Sequence, residues 1–204
     1  MMKKFFSVFV ALVLALLPVV SMAETAEYLT YTHPDGQYSF MYPSNWIVLS
    51  EENIEYILTV AAKQGDAQLA QMAETYGPTI RQSGMVILLS ETGMTNVNVA
   101  FTNVGMRASD EVLLTLAPAM MSQLSTVAEN IQFIEEGTII DLGDKNGMML
   151  EYVYELSGIQ MHGIQVYVSG AADMYTFTYT CVDADELEAT AEDFGFMLGS
   201  LTAK

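Results

Sequence analysis

The chain is short of positive charge, of histidine and of cysteine. Lys and Arg number 7 against 25 Asp and Glu, a formal net charge of −18. Such a surface repels phosphate backbones and anionic headgroups, which argues against nucleic-acid binding and a polybasic grip on lipid. The one cysteine, Cys181, cannot close an internal disulfide, so the core must hold the fold. Cys181 lies in an apolar strand pattern and reads as a buried, inert thiol. The two histidines, His33 beside a turn and His162 in or beside a hairpin, read as isolated surface groups. No H-E-x-x-H, C-x-x-C, G-K-S/T or G-x-S-x-G motif occurs. The sequence designates no catalytic residue and no cofactor-binding residue, and it leaves any metal ligand unknown.

Hydrophobic residues make up 51% of the 204, enough for one domain with a proper core. The chain begins Met1-Met2-Lys3-Lys4, followed by an apolar run from Phe5 to Val20 and the small-residue exit Ser21-Met22-Ala23. That order predicts a secretory signal peptide over 1–23. The run is short of the roughly 20 residues a spanning helix needs, so no stable membrane span is expected after cleavage. Residues 24–27 read as a flexible tail and 28–204 as a single domain. Losing Lys3 and Lys4 would leave 5 basic against 25 acidic side chains, a balance of −20. The expected location is secreted, periplasmic or the extracytoplasmic cell-envelope space.

Tyr28–Thr32 reads as a strand, His33-Pro34-Asp35-Gly36 as a turn, and Tyr38, Phe40 and Tyr42 as the buried side of a second strand. A short strand is predicted at Tyr56–Ala61 and a helix over 65–76, ended by Gly77-Pro78. Met85–Leu89 and Asn96–Val104 read as strands. Ser109 or Asp110 caps a helical stretch whose stripe is Leu113, Leu116 or Ala117, Met120, Leu124 and Val127. Pro118 predicts either two short helices or one kinked helix. Strands are predicted at Ile131–Glu135 and Thr138–Leu142, then a hairpin turn at Asp144-Lys145-Asn146-Gly147. Met148–Leu156 places Leu150, Tyr152 and Tyr154 opposite Glu151 and Glu155. Gly163–Ser169 and Met174–Cys181 read as partners, with Tyr175, Phe177, Tyr179 and Cys181 on one side. Leu187, Ala191, Phe194, Leu198 and Leu201 have the spacing of an amphipathic terminal helix. The sheet needs a cover and the helix needs a floor. The fold class is therefore α+β: a one-sided antiparallel sheet with helices packed against it.

Tyr38-Ser39-Phe40-Met41-Tyr42-Pro43-Ser44-Asn45-Trp46 carries a Tyr-Pro-x-x-Trp corner after an aromatic strand. Pro43 stops the strand without needing a donor, and Trp46 can fold back over the sheet edge. This opening resembles the PsbP-like superfamily of photosystem II oxygen-evolving P subunits, which also includes a Ran-binding nuclear-import factor. Element order over about 28–201 agrees with it. The resemblance implies a binding or assembly protein without catalytic machinery. Photosynthetic members help retain calcium and chloride at a manganese cluster, but none of their ion-retaining or Ran-contacting residues carries over to a position here.

Carboxylates are densest at Asp183, Asp185, Glu186, Glu188, Glu192 and Asp193, which read as a solvated helix face because no calcium-loop order is kept. Asp141 and Asp144 form a weaker cation candidate. The 12 methionines beyond residue 23 read as core filling. Met161 and His162 would point to opposite sides of a strand. Of the tyrosines, some of Tyr38, Tyr42, Tyr152, Tyr154, Tyr175 and Tyr179 are candidates for a wet aromatic patch. The leading functional expectation is a non-enzymatic protein-interaction or assembly module whose partner offers a basic surface. The alternatives are a divalent-cation-binding accessory protein, with weak calcium binding, and a carboxylate-dependent hydrolase.

Overall fold

The computed structural model describes residues 27–64, 67–182 and 184–203. The segment read as a signal peptide lies outside them, as do 24–26 of the expected tail and Asp183. Glu27 is described, and its carbonyl accepts the Ser44 amide at 2.7 Å.

Two antiparallel sheets form the framework. The smaller pairs β1 (Tyr28–Thr32) with β2 (Tyr38–Pro43), in register Tyr31↔Phe40, and adds β10 (Thr202–Ala203) on the other side of β2. After the Pro43 corner, the Trp46 amide donates to the Pro43 carbonyl at 3.0 Å and the Trp46 side chain joins the core. The chain then enters the larger sheet as β3 (Ile47–Leu49).

The expected strand at Tyr56–Ala61 is instead part of helix α1 (Ile54–Gln64). The Asn53 side chain starts it, accepting the Ser50 amide at 2.8 Å and donating to the Val48 carbonyl at 2.9 Å. Ile54 and Ala61 are buried and Ile57 and Leu58 packed on the core, a three-four spacing that overrides local strand preference. Helix α2 (Ala67–Ser83) runs through Gly77-Pro78 rather than ending there. Pro78 is exposed, so water can take the carbonyl its missing amide leaves open.

The larger sheet continues with β4 (Val86–Leu89) and β5 (Thr95–Asn103). Helix α3 (Asp110–Val127) is a single helix through an exposed Pro118, capped by Ser109, whose hydroxyl accepts the Val112 amide at 3.4 Å. Leu113 and Ala117 are its buried side, whereas Leu116 and Val127 are exposed.

The two strands expected between 131 and 142 are one, β6 (Glu129–Leu142), with register shifts at three places. Gly137, at φ 121, serves one of these bulges, and a Cβ there would stand 3.0 Å from the Ala117 Cβ of α3. The following hairpin turns on Gly143-Asp144, not on 144–147. Leu142 pairs with Lys145, and Asn146 and Gly147 already lie in β7 (Lys145–Leu156). Gly143 takes φ 74 at the first central position, which a two-residue hairpin loop accepts. Strands β8 (Ile159–Ser169) and β9 (Asp173–Cys181) and helix α4 (Ala184–Gly199) follow. The strand order is β3-β4-β5-β9-β8-β7-β6, antiparallel throughout.

This sheet is covered on both faces, not one. Tyr175, Phe177, Tyr179 and Cys181 of β9 meet Leu187, Phe194 and Leu198 of α4 and Tyr38 and Phe40 of the small sheet. On the opposite face, Ile54, Ala73 and Ile80 of α1 and α2 cover Ile87 and Leu89. There too, Leu113 and Ala117 of α3 cover Met148 and Leu150. Alternate residues of β4 and β7 therefore serve different cores, which is why Val86–Leu89 is apolar at every position. Among the described residues no helix is long and apolar enough to cross a membrane.

Candidate functional site

Three chain segments meet around the opening turn. They are the His33–Asp35 turn, the Ser50–Glu52 exit from β3, and Ser83–Val86 between α2 and β4. With Tyr31 of β1 and Phe101 of β5 they line a cleft of about 350 Å³. The sheet supplies its aromatic wall. The His33 ring lies 5.0 Å from Tyr38 and edge-on to Phe101 at 5.1 Å, and Tyr31 lies 5.4 Å from Phe40. Nδ1 of His33 accepts the Asp35 amide at 3.3 Å. His33 is therefore built into an aromatic cluster, contrary to its reading as an isolated surface group.

Asp35, Glu51 and Glu52 on the lining are exposed carboxylates, and among the described residues no Lys or Arg lines the cleft. Burial pushes the Tyr31 phenol up to about 12, with the charge of Glu52 adding to it, so Tyr31 stays neutral. Carboxylates and aromatic rings lining one cleft are the side-chain types that attract a cationic group, through charge and cation–π attraction. A second cleft of about 270 Å³ lies by Asn130, Gln132, Tyr154 and Glu155. There Nδ2 of Asn130 donates to Glu155 at 2.9 Å, so part of the acidity is already used.

The residues singled out in the sequence fall elsewhere. His162 pairs with Cys181 and Val153, at the end of β9 away from Tyr175, while His33 packs against the Tyr38 that meets Tyr175 at 5.4 Å. Six residues of strand, about 20 Å, separate those ends. Met161 and His162 occupy successive positions of β8 and so opposite faces. The acidic group at the start of α4 is not simply a solvated face. Glu186 accepts hydrogen bonds from Thr92 at 2.8 Å and from the buried Thr95 at 2.9 Å, and Asp193 accepts one from the Tyr28 hydroxyl at 2.8 Å. These two latch α4 to the sheets. Asp141 accepts the Gly143 amide, and Asp144 is 2.7 Å from the Lys145 ammonium. Among the described residues no group of three or more His, Cys, Asp or Glu gathers around a metal position. The tyrosines are mostly core: Tyr38, Tyr152, Tyr175 and Tyr179 are buried, with Tyr42 and Tyr154 half-buried.

One residue was missed. Glu151, which the alternation sets opposite Leu150, Tyr152 and Tyr154, is 2% exposed, and among the described residues both its carboxylate oxygens lack a hydrogen-bond donor. Its face of β7 also carries Met149 and Val153, an apolar parity that was there to be read. Burial, then the facing charge of Glu135, raises its pKa from 4.5 to about 7. The folded chain thus holds this proton more tightly than the unfolded chain. Its contribution to stability is complete below about 4.5 and is lost as pH rises to and past about 7. The full shift corresponds to about 3 kcal/mol, and screening reduces it to about 1–2 kcal/mol. Urea unfolding of Glu151→Gln should show a gain over wild type at pH 8 larger than at pH 4.5 by that amount. An equal difference at both pH values would contradict the assignment.

No protein-family model matches the chain, and no curated protein matches it. Solved structures share its fold at low identity. The cyanobacterial PsbP protein (CyanoP) of Synechocystis sp. PCC 6803 is 13% identical, with a TM-score of 0.58 over 92% of this chain and 99% of that one. LpqN of Mycobacterium tuberculosis, a protein involved in cell envelope biogenesis, is 13% identical, with a TM-score of 0.55 over 91% and 98%. A Bacteroides thetaiotaomicron protein is 8% identical, with a TM-score of 0.53 over 86% of this chain and 48% of that one. At such identities the likeness is one of fold alone, and it is the fold shared with CyanoP and LpqN.

Proposed function

We propose that this chain is an extracytoplasmic, non-enzymatic docking module that receives a basic side chain of a partner protein in the His33–Glu52 cleft. The observation that carries the reading is the cleft itself: three carboxylates, the aromatic rings of Tyr31 and Phe101, and, among the described residues, no Lys or Arg in the lining. A lysine or arginine brought there gains both the local charges and the field of a strongly acidic chain. The leader-like sequence over 1–23 supports export, and the fold shared with LpqN, a cell-envelope biogenesis protein, accords with an envelope setting. The mature domain over 28–204 would then act as one unit.

A basic peptide will adhere weakly to any chain this acidic, so the test compares positions of equal charge. Glu51→Lys with Glu52→Lys should weaken binding of a short arginine-rich peptide by about tenfold or more at physiological salt. The same double reversal at the exposed Glu188 and Glu192 should weaken it by no more than about threefold. Equal losses from the two pairs, read by fluorescence anisotropy, would reduce the attraction to net charge and remove the cleft from the account.

A further inference from the structure

We propose that Glu151 and Glu135 form a calcium site at the β6–β7 end of the seven-stranded sheet. The two residues stand directly opposite each other across the β6–β7 pair. Opposed like charges destabilise a strand pair, and the arrangement is harsher when one carboxylate is buried. The chain contains a control for this reading. Glu129 and Glu155 are likewise opposed on the same two strands, but there the Asn130 amide donates to Glu155. At Glu151 the side chain is 2% exposed, and among the described residues neither oxygen has a donor.

The surroundings set the chemical class of ligand that the pair would take. Glu135 is held by the Thr138 hydroxyl, which donates to Oε2 at 2.9 Å. Thr138 pairs with Met149, which places it on the same face as Glu151. The donor set is thus carboxylate and hydroxyl oxygen, which selects a hard cation over copper or zinc. Two carboxylates balance one divalent charge. Calcium accepts irregular oxygen shells at about 2.3–2.6 Å, whereas magnesium demands a near-ideal octahedron and keeps most of its water, which a buried carboxylate such as Glu151 suits badly. With two protein carboxylates, the rest of the shell falls to Thr138, backbone carbonyls and water. Affinity should then lie at about 10⁻⁴–10⁻³ M, the range of extracellular calcium modules. The site does not depend on the cleft reading, since no residue is common to both.

The test uses the chain from residue 24, at pH 7.5, with calcium and magnesium compared at equal concentration. Calorimetry should give one saturable calcium site per chain, with binding weakened more than about tenfold in both Glu151→Gln and Glu135→Gln. At about ten times Kd, calcium should raise the wild-type Tm by about 3–6 °C more than magnesium does, and the excess should vanish in both variants. Glu151→Gln removes a buried charge and is expected to be at least as stable as wild type without metal, so lost binding cannot be blamed on unfolding. A calcium response equal to that of magnesium, or one retained in Glu151→Gln, would overturn the site.

Discussion

Replacing Phe177 by alanine is expected to lower the unfolding free energy by about 3–5 kcal/mol. Phe177 is fully buried at the middle of β9, the centre of the seven strands. Its ring meets Phe40 of the small sheet edge-on at 5.7 Å, and its core is closed by Phe194 and Leu198 of α4. The cavity would open where the two sheets and the terminal helix meet, with neighbours on every side held by their own strands. Truncation therefore removes both transfer energy and contacts that cannot re-form. Thr176, one position earlier and half-buried on the other face, supplies the comparison: Thr176→Ala should change stability by no more than about 1 kcal/mol. Urea unfolding monitored by far-UV circular dichroism measures both. Similar losses would mean that the face shared with α4 is not the principal core.

Gly163→Ala is expected to destabilise by about 2–3 kcal/mol, although it adds a single methyl group. Gly163 lies directly across from Tyr152, whose ring lies over it. A Cβ at 163 would stand 2.4 Å from the ring at Cε2 and 2.5 Å at Cζ. Tyr152 is 3% exposed and packs on Tyr154 and Phe133 at 5.8 and 5.9 Å, so the ring cannot move aside freely. The loss comes from that collision, so it should shrink when the ring is removed. In Tyr152→Leu, adding Gly163→Ala should cost less than about 1 kcal/mol. An undiminished loss in the double variant would place the strain elsewhere.

Much of the frame was legible where one face of an element decides its pattern. In β2 the Tyr38/Phe40 alternation, in β9 the Tyr175/Phe177/Tyr179 row, and in α4 the Leu187–Leu198 stripe each name the side that enters the core between the two sheets and α4. The readings failed where distant parts of the chain intervene. Tyr56–Ala61 reads as strand-like locally, and it is the docking of α1 and α2 on β3 and β4 that makes it helical. Gly77-Pro78 reads as a stop, yet α2 continues through it because Pro78 sits on an exposed side where a lost backbone bond is tolerated, and of the two readings of Pro118 the single helix holds, for the same reason. Asn146-Gly147 carried the stronger turn signal, but its place in register opposite Asp141 and Ile140 shifts the loop to Gly143-Asp144.

The cleft was hardest to see. His33, Glu51 and Phe101 lie far apart in sequence, and none belongs to a spaced motif. Only the closure of β1–β2 over the β3–β4–β5 end of the sheet brings them together. The dense acids of α4 drew attention by their number, whereas Glu186 and Asp193 are structural acceptors. Glu151 alternates with Leu150 and Tyr152 in the pattern that the wet side of a one-sided sheet would show. Once α3 covers Met148 and Leu150 while the opposite face also carries a core, neither parity of β7 is free for a lone carboxylate.

The docking reading meets its most direct test in an amide and aromatic NMR titration of the chain from residue 24 with the arginine-rich peptide. Saturable shifts should cluster at Tyr31, His33, Glu51, Glu52, Gly84 and Phe101, with the α4 acids Glu188 and Glu192 moving little. Shifts spread evenly over the acidic surface, or centred on α4, would contradict a built receptor at the cleft.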